Sequence, residues 1–134
     1  MATSDAKTFL KGWFDRLEKT GWDGPTFLEA LADDLSWTAT GSSPVSGTYH
    51  GKQEYVDEVY EPLDERLASW PKPVVKRIIG EGEWAAVQFD SEGGKGKNGV
   101  DYNMQYCWLV RVSEGKVREV VGFYDQSKVA ELFS

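Results

Sequence analysis

The sequence predicts a single α+β domain in which helices come first and a run of strands follows. Apolar residues in the first part of the chain recur mainly at helical spacing, whereas from Val74 onward they alternate as in strands. Because the two kinds of pattern are segregated, the chain does not read as alternating βαβ units. With 134 residues, 40% of them hydrophobic and 28% charged, it is long enough for one core and too short for two domains.

The first two predicted elements are helices. Between Asp5 and Lys19 the large apolar residues keep spacings of one, three and four: Phe9, Leu10, Trp13, Phe14 and Leu17. This spacing defines one face of a helix, which Ser4 can cap and Gly21 can end. A second, shorter helix is predicted after Gly24, because Pro25 suits a first helical position and a short apolar stripe follows it.

The middle of the chain predicts a strand, a loop and a third helix. Alternating apolar and polar residues from Leu35 to Thr40 indicate a strand, and the residues from Gly41 to Gly51 are rich in turn formers. Helical spacing returns from Lys52 to Ser69. Pro62 lies inside that segment and is expected to kink or break the helix, because proline removes a hydrogen bond.

The last part of the chain predicts four strands and a closing helix. The strands cover Val74–Gly80, Glu83–Asp90, Val100–Val112 and Lys116–Tyr124, and the helix covers Ser127–Phe133. Asp125 precedes that helix and is better read as its cap than as a catalytic acid.

Charge and cysteine content exclude several classes of function. Twenty-two acidic against 15 basic residues give a net charge of -7, which disfavours a nucleic-acid partner. The single cysteine, Cys107, cannot form an intramolecular disulfide and fits a reducing compartment. With one histidine and one cysteine we expect no metal site, and we expect no cofactor. The sequence shows no signal peptide and no membrane span, so a cytoplasmic protein without a membrane partner is expected.

Two local motifs have plainer explanations than the functions they suggest. Gly94–Gly99 matches the spacing of a dinucleotide-binding loop, but a strand follows where that function needs a helix, so a hairpin loop is predicted. His50 lies in a polar loop without a neighbour to orient it, which favours a surface or helix-entry histidine over a catalytic base. The pair Asp33 and Asp34 is read as a solvated boundary between elements.

The candidate site lies on two adjacent strands. Between Asp101 and Val112, alternation puts mainly aromatic residues on one face: Tyr102, Met104, Tyr106, Trp108 and Val110. On the preceding strand Trp84, Ala86, Gln88 and Asp90 share a face that is expected to look inward. Asp90 has two readings, a carboxylate in the cavity or a strand-end residue in solvent.

Three segments resemble SnoaL-like proteins of the nuclear transport factor 2-like superfamily. They are Ala32–Asp34 with Trp37, the loop Gly41–Lys52 and the stretch Tyr102–Asp125. The resemblance covers nearly the whole chain. It implies a conical fold in which a curved mixed sheet wraps around the N-terminal helices and leaves a deep apolar pocket. It also implies a homodimer packed through the outer faces of the sheets.

The catalytic groups of that superfamily do not carry over to this chain. The general base of ketosteroid isomerase falls at Ala39, its tyrosine at about Phe14 and its oxyanion-binding aspartate at about Trp108. Limonene epoxide hydrolase and the polyketide cyclases use an aspartate near the last strand, and Gly122 stands at that position. Of the groups compared, only Asp90 keeps a matching residue type.

Two hypotheses follow, and an interaction module that uses the outer sheet face is a third possibility. The leading one is an acid/base enzyme of the isomerase, cyclase or lyase type that acts on a small hydrophobic, polyketide-like or terpenoid-like molecule. Asp90 would be the base, and Gln88 and Tyr106 would donate hydrogen bonds to the substrate. The alternative is a noncatalytic protein that binds a small apolar ligand. In both cases the predicted pocket residues are Trp37, Tyr55, Val59, Met104, Trp108, Val120 and Tyr124.

Overall fold

The computed structural model describes residues 5–134, which form helices followed mainly by strands. The helices are α1 (Ala6–Thr20), α2 (Gly24–Glu29), α3 (Lys52–Tyr55), a π-helical turn (Val56–Tyr60), α4 (Glu61–Arg66) and α5 (Gln126–Leu132). The strands are β1 (Leu31–Ala39), β2 (Gly47–His50), β3 (Leu67–Ser69), β4 (Lys72–Glu81), β5 (Trp84–Glu92), β6 (Lys95–Gly96), β7 (Gln105–Ser113) and β8 (Lys116–Phe123). In the described part of the chain, no helix is long and apolar enough to cross a bilayer.

Six strands form one mixed sheet in the order β2-β1-β8-β7-β5-β4. The pair β1 and β8 is parallel and the other neighbours are antiparallel. Strands β3 and β6 form a separate two-stranded sheet. The sheet curves over α1, which packs against β4, β5 and β7. The predicted α+β fold is therefore confirmed.

Helix α1 forms as its spacing predicts. Its apolar face is fully buried against the sheet: Leu10, Trp13, Phe14 and Leu17. Asp5 caps the helix, because its side chain accepts a hydrogen bond from the backbone N–H of Lys7 at 2.9 Å. Gly21 ends it in the left-handed region at φ 70°. Ser4, the predicted cap, lies outside the described residues.

The register of the sheet separates an inner from an outer face. Residues on neighbouring strands that lie side by side point to the same face of a sheet. One such row is Ala85, Val110, Val120 and Trp37, and all four are buried beneath the helices. The next row is Ile79, Ala86, Leu109 and Val121, and it faces away from them, with Ile79 66% exposed.

The third helix differs from the prediction. Pro62 does not break it, since the chain is helical from Lys52 to Arg66. Pro62 lies in the first turn of α4, and the turn before it is π-helical. Proline has no N–H to donate to the preceding turn, and the change from π-helical to α-helical hydrogen bonding at this point lets the segment continue past it.

The glycine-rich segment is a hairpin-like loop, and two of its glycines, Gly94 and Gly96, have packing reasons. Gly94 and Asn103 bond to each other twice, through the N–H of Gly94 at 2.9 Å and its carbonyl oxygen at 3.1 Å. A Cβ on Gly94 would collide with the carbonyl oxygen of Tyr102. No helix follows this loop, which is the arrangement predicted from the sequence.

Candidate functional site

A cavity of about 90 Å³ opens between the inner face of the sheet, the helical segment that begins at Lys52 and the start of β4. Its wall is mainly aromatic and aliphatic: Trp22, Trp37, Ala39, Val45, Tyr55, Val59, Leu63, Trp70, Pro71, Pro73, Phe89, Ser91, Tyr102, Tyr106, Trp108, Gly122, Tyr124 and Val129. Among residues 5–134, no carboxylate, imidazole, ammonium, guanidinium or thiol group belongs to this wall. The polar groups that the wall offers are hydroxyl and indole groups.

The indole rings of the wall form a continuous run. The ring centroids of Trp70 and Trp22 are 6.1 Å apart, and those of Trp22 and Trp108 are 6.2 Å apart. Trp108 in turn meets Trp37 edge to face at 5.1 Å, and Trp37 contacts Tyr55 at 4.3 Å. Such packing holds each ring in place, so the wall is preorganised for a ligand with an apolar surface.

Four tyrosines add hydroxyl groups to this wall. Burial raises the pKa of Tyr55 and of Tyr102 well above the ordinary value of 10. Burial also raises the pKa of Tyr106, against a smaller lowering by the side chain of Ser91. The pKa of Tyr102 is raised further by its neighbours Tyr106, Tyr124 and Tyr55. At neutral pH the hydroxyls of Tyr55, Tyr102 and Tyr106 therefore stay protonated, able to donate and to accept hydrogen bonds.

This burial predicts a loss of stability at alkaline pH. Tyr55, Tyr102 and Tyr106 have a raised pKa when folded, so the unfolded chain releases their protons first as the pH rises above 10. Each can lower the free energy of unfolding by at most about 1.4 kcal/mol per pH unit. Their contribution is complete below pH 10 and is lost as the pH rises through the folded pKa values. Urea unfolding at pH 9, 10 and 11 measures the slope.

The variant Tyr102→Phe tests the contribution of one of these hydroxyls to the pH dependence of stability. It should make the alkaline fall shallower by up to about 1.4 kcal/mol per pH unit, because one titrating group is gone. All other side chains are common to both proteins, so their contributions cancel in the comparison. An unchanged slope would contradict a buried, neutral Tyr102.

The loop that precedes β2 fixes one of the four tyrosines. The Tyr124 hydroxyl lies 2.8 Å from the Ser43 Oγ and 3.2 Å from the Ser46 Oγ. The Ser46 hydroxyl donates to the carbonyl oxygen of Thr40 at 3.0 Å, which ties the loop to the end of β1. The turn-rich segment thus positions a hydroxyl group at the cavity.

Asp90 and Gln88 do not line the cavity, so the inward orientation expected for their face is wrong. Gln88 is exposed, and Asp90 lies 3.4 Å from the Lys76 ammonium group with 34% of its side chain exposed. The physical reason is the alternation along β5: side chains of successive residues point to opposite faces, and the residues that point inward are Ala85, Val87 and Phe89. Those three residues are uniformly apolar, whereas the other set includes the polar Gln88 and Asp90, and this difference in the sequence favours the observed inner face.

Five of the predicted pocket residues lie in the wall, and so does Tyr106, the predicted hydrogen-bond donor; the five are Trp37, Tyr55, Val59, Trp108 and Tyr124. Val120 is 1% exposed and belongs to the core beneath the cavity, not to its wall. Met104 lines a groove on the outer face, because β7 begins only at Gln105 and the alternation does not extend back to it. The binding roles of these residues remain predictions.

Sequence reasoning missed two tryptophans of the wall. Trp22 follows the cap of α1, and Trp70 follows β3. Trp22 has an unusual φ of 70°, and its buried indole N–H has no hydrogen-bond partner in the described part of the chain. Packing against Phe27, Trp70 and Trp108 therefore holds this ring. Neither residue lies in a periodic segment, so no pattern marks it.

The other polar residues considered from the sequence do not line the cavity. His50 is exposed, and so are Asp33 and Asp34, the latter paired with Arg118 at 2.8 Å. Asp125 caps α5, since its side chain accepts from the backbone N–H of Ser127 at 2.9 Å.

The cap predicts the effect of replacing Asp125. Asp125→Ala should lower the free energy of unfolding by about 1 kcal/mol, because the first turn of α5 loses its acceptor. Asp125→Asn keeps an acceptor oxygen and should cost less. Both follow from urea unfolding curves. A similar loss in the two variants would argue against capping as the role of this side chain.

Comparisons with known proteins identify one matching family and several solved structures of similar fold. The sequence model of the SnoaL-like domain family matches residues 10–120. No curated protein matches the chain. A nuclear transport factor 2-like protein from Burkholderia thailandensis superposes with a TM-score of 0.77 at 18% identity, over 98% of this chain and 99% of the other. A protein of unknown function with a cystatin-like fold from Xanthomonas campestris gives 0.72 at 21% identity, over 98% and 99%.

A third structure, from Catenulispora acidiphila, has a ketosteroid isomerase-like fold and was solved in complex with trimethylamine. It gives a TM-score of 0.69 at 13% identity, over 90% of this chain and 88% of the other. At these identities the likeness shows the fold alone. The matched model spans most of the sequence, and the resemblance inferred from the residues is confirmed: the chain belongs to the SnoaL-like domain family.

Proposed function

We propose that this protein binds a small, mainly apolar molecule in the cavity and does not act on it by acid/base catalysis. The observation that carries the proposal is the composition of the wall. Aromatic and aliphatic side chains enclose the space, and the described wall offers hydroxyl and indole groups but no side chain that takes up a proton near pH 7. A few directed hydrogen-bonding groups in an apolar wall are typical of small-molecule binding sites.

The size of the cavity limits the ligand. An engineered protein cavity of about 150 Å³ takes up benzene. A cavity of about 90 Å³ is smaller, so the ligand has at most about the size of one ring unless side chains move. A polycyclic substrate does not meet this limit. The trimethylamine complex of the Catenulispora protein is an example of this fold with a ligand of small size.

The acid/base hypothesis depended on a carboxylate in the cavity. Asp90 is on the outer face, paired with Lys76, and Gln88 shares that face. A general base must reach the proton that it removes. We therefore favour binding over the catalytic hypothesis, while Tyr106 keeps its proposed role as a hydrogen-bond donor.

Ligand-observed NMR on the full chain tests this proposal. The probes are benzene, phenol and cyclopentanol, titrated against the wild type, Asp90→Asn and Tyr106→Phe. We expect binding of at least one probe, unchanged by Asp90→Asn, and weaker binding of phenol to Tyr106→Phe. Saturation transfer that is absent for every probe, or that disappears in Asp90→Asn, would contradict the proposal.

We also propose that a second copy of the chain packs on the outer sheet face. Four large apolar side chains on this face are exposed: Ile79, Trp84, Leu109 and Phe123. Arg111 on the same face is already paired within the chain, with Glu119 at 2.9 Å and Glu83 at 3.5 Å. An exposed apolar face of this kind favours a self-complementary, two-fold partner.

The proposed dimer predicts that a substitution in the interface lowers the molar mass of the protein in solution. Leu109→Glu should convert a dimer into a monomer in light scattering after size-exclusion chromatography, because it puts a carboxylate in the middle of the interface. Thr8→Glu adds the same charge at an exposed position of α1 and should leave the mass unchanged. A wild-type protein that is monomeric at 100 μM would contradict the dimer.

A further inference from the structure

We infer that the ligand of this cavity is a small alkylammonium cation, held by aromatic rings and tyrosine oxygens. The inference rests on the proposed function, because it names the class of ligand for the same cavity. Aromatic faces carry a negative potential and attract alkylated ammonium groups that lie over them. Trp22, Trp37, Tyr55, Trp70 and Trp108 supply a run of neighbouring rings in this wall.

In the part of the wall that residues 5–134 form, the side chains carry no positive charge that would oppose such a ligand. Within residues 5–134, neither lysine, arginine nor histidine lines the cavity. Arg66, on the nearby helix α4, lies 4.1 Å above the ring of Phe133 and donates to the Pro62 carbonyl oxygen. The chain as a whole carries a net charge of -7, which favours the approach of cations.

A carboxylate strengthens the negative potential at one part of the wall. The Trp70 indole N–H donates to the Asp64 carboxylate at 2.7 Å. The edge of an aromatic ring is its positive part, so a carboxylate on that edge leaves the whole ring more attractive to a cation. Burial, together with the carboxylates of Asp64 and Asp23, raises the pKa of Tyr60 to about 12, and the Tyr60 ring stacks on Trp70 at 4.8 Å.

The tyrosine hydroxyls suit the remaining part of the ligand. A protonated tertiary amine presents one N–H, and a neutral hydroxyl oxygen of Tyr102 or Tyr106 can accept it. The alkyl groups spread the charge and are weakly hydrated, so the cation is moved from water into an apolar wall more easily than a primary ammonium group. A cavity of about 90 Å³ limits the alkyl groups to small ones.

The test compares a cation with a neutral molecule of similar shape. Tetramethylammonium chloride and tert-butanol are titrated separately against the full chain at constant ionic strength, followed by tryptophan fluorescence and by calorimetry. We expect the cation to bind at least tenfold more tightly than the alcohol. Equal or tighter binding of tert-butanol would overturn the cation inference and leave the proposed binding function standing. If neither molecule binds and the neutral aromatic probes also fail, the proposed function itself is overturned.

Two charge-neutralising variants test the part played by Asp64. Asp64→Asn keeps an acceptor oxygen for the Trp70 indole but removes the negative charge, so tetramethylammonium should bind three- to tenfold more weakly and tert-butanol unchanged. Asp57→Asn removes an exposed carboxylate from the same helical segment and should change neither. An equal loss in both variants would show an effect of net charge alone and would overturn the specific role of Asp64.

Discussion

Ala39→Leu is expected to abolish ligand binding while the protein remains folded. Ala39 lies in the cavity wall at the end of β1 and is 5% exposed. Leucine adds three carbon atoms at the edge of a space of about 90 Å³, so little room is left for a ligand. Because the added atoms enter empty space, the loss of stability should be at the lower end of the 1–3 kcal/mol typical of overpacking, about 1 kcal/mol. Titration with the tightest probe measures the loss of binding, and urea unfolding measures the stability.

Ala86→Leu is the matched control for that variant. Ala86 is half-buried on the outer face of β5, beside Leu109 in the register of the sheet. The same three carbon atoms are added, but on the side of the sheet away from the cavity. Ligand affinity should therefore equal that of the wild type. If Ala39→Leu binds normally, or if Ala86→Leu loses binding as well, the cavity is not the binding site.

Periodicity predicted the fold because each kind of element leaves a local signal. The helical spacing from Phe9 to Leu17 gave the buried face of α1. The alternation through Tyr106, Trp108 and Val110 gave the inner face of β7, which the structure confirms. These signals are local because the buried face of an element is determined by the period of its own residues.

The one wrong prediction that changes the site is the choice of which residues of β5 face inward. Both sets on this strand contain apolar residues, since Trp84 and Ala86 alternate with Ala85, Val87 and Phe89. A sheet whose outer face is also partly apolar gives weak phase information, and a shift of one residue moves every side chain to the other face. The proposed dimer would explain why the outer face is apolar, because a second copy would cover it.

Long-range packing decides the size of the cavity, and no sequence pattern reports it. Trp13, Phe14 and Phe27 are fully or almost fully buried and fill the space between α1 and the sheet. Trp22 and Trp70 approach each other from segments almost 50 positions apart. Most of the aromatic rings pack against one another, which leaves a small space for a small ligand.

Trp108→Ala is expected to cause the largest loss of stability among the variants proposed for this protein. The Trp108 ring lies within 6.5 Å of seven other aromatic rings, measured between centroids: Trp13, Phe14, Trp22, Phe27, Trp37, Phe89 and Tyr106. Removing a buried tryptophan costs about 3–5 kcal/mol, because apolar burial is lost and a cavity remains. For a domain with a total stability of about 5–15 kcal/mol, this is a large fraction. Urea unfolding monitored by circular dichroism measures it.

Trp84→Ala removes the same side chain from the outer face, where Trp84 is 42% exposed. It should cost about 1 kcal/mol or less in the monomer, because surface substitutions away from packed features have small effects. Any further loss that comes from the dimer will grow with protein concentration, whereas the loss from Trp108→Ala will not. Equal, concentration-independent losses in the two variants would mean that Trp108 does not hold the aromatic core together. A loss confined to Trp108→Ala would show that one inward-facing ring of β7 supports both the core and the wall of the cavity.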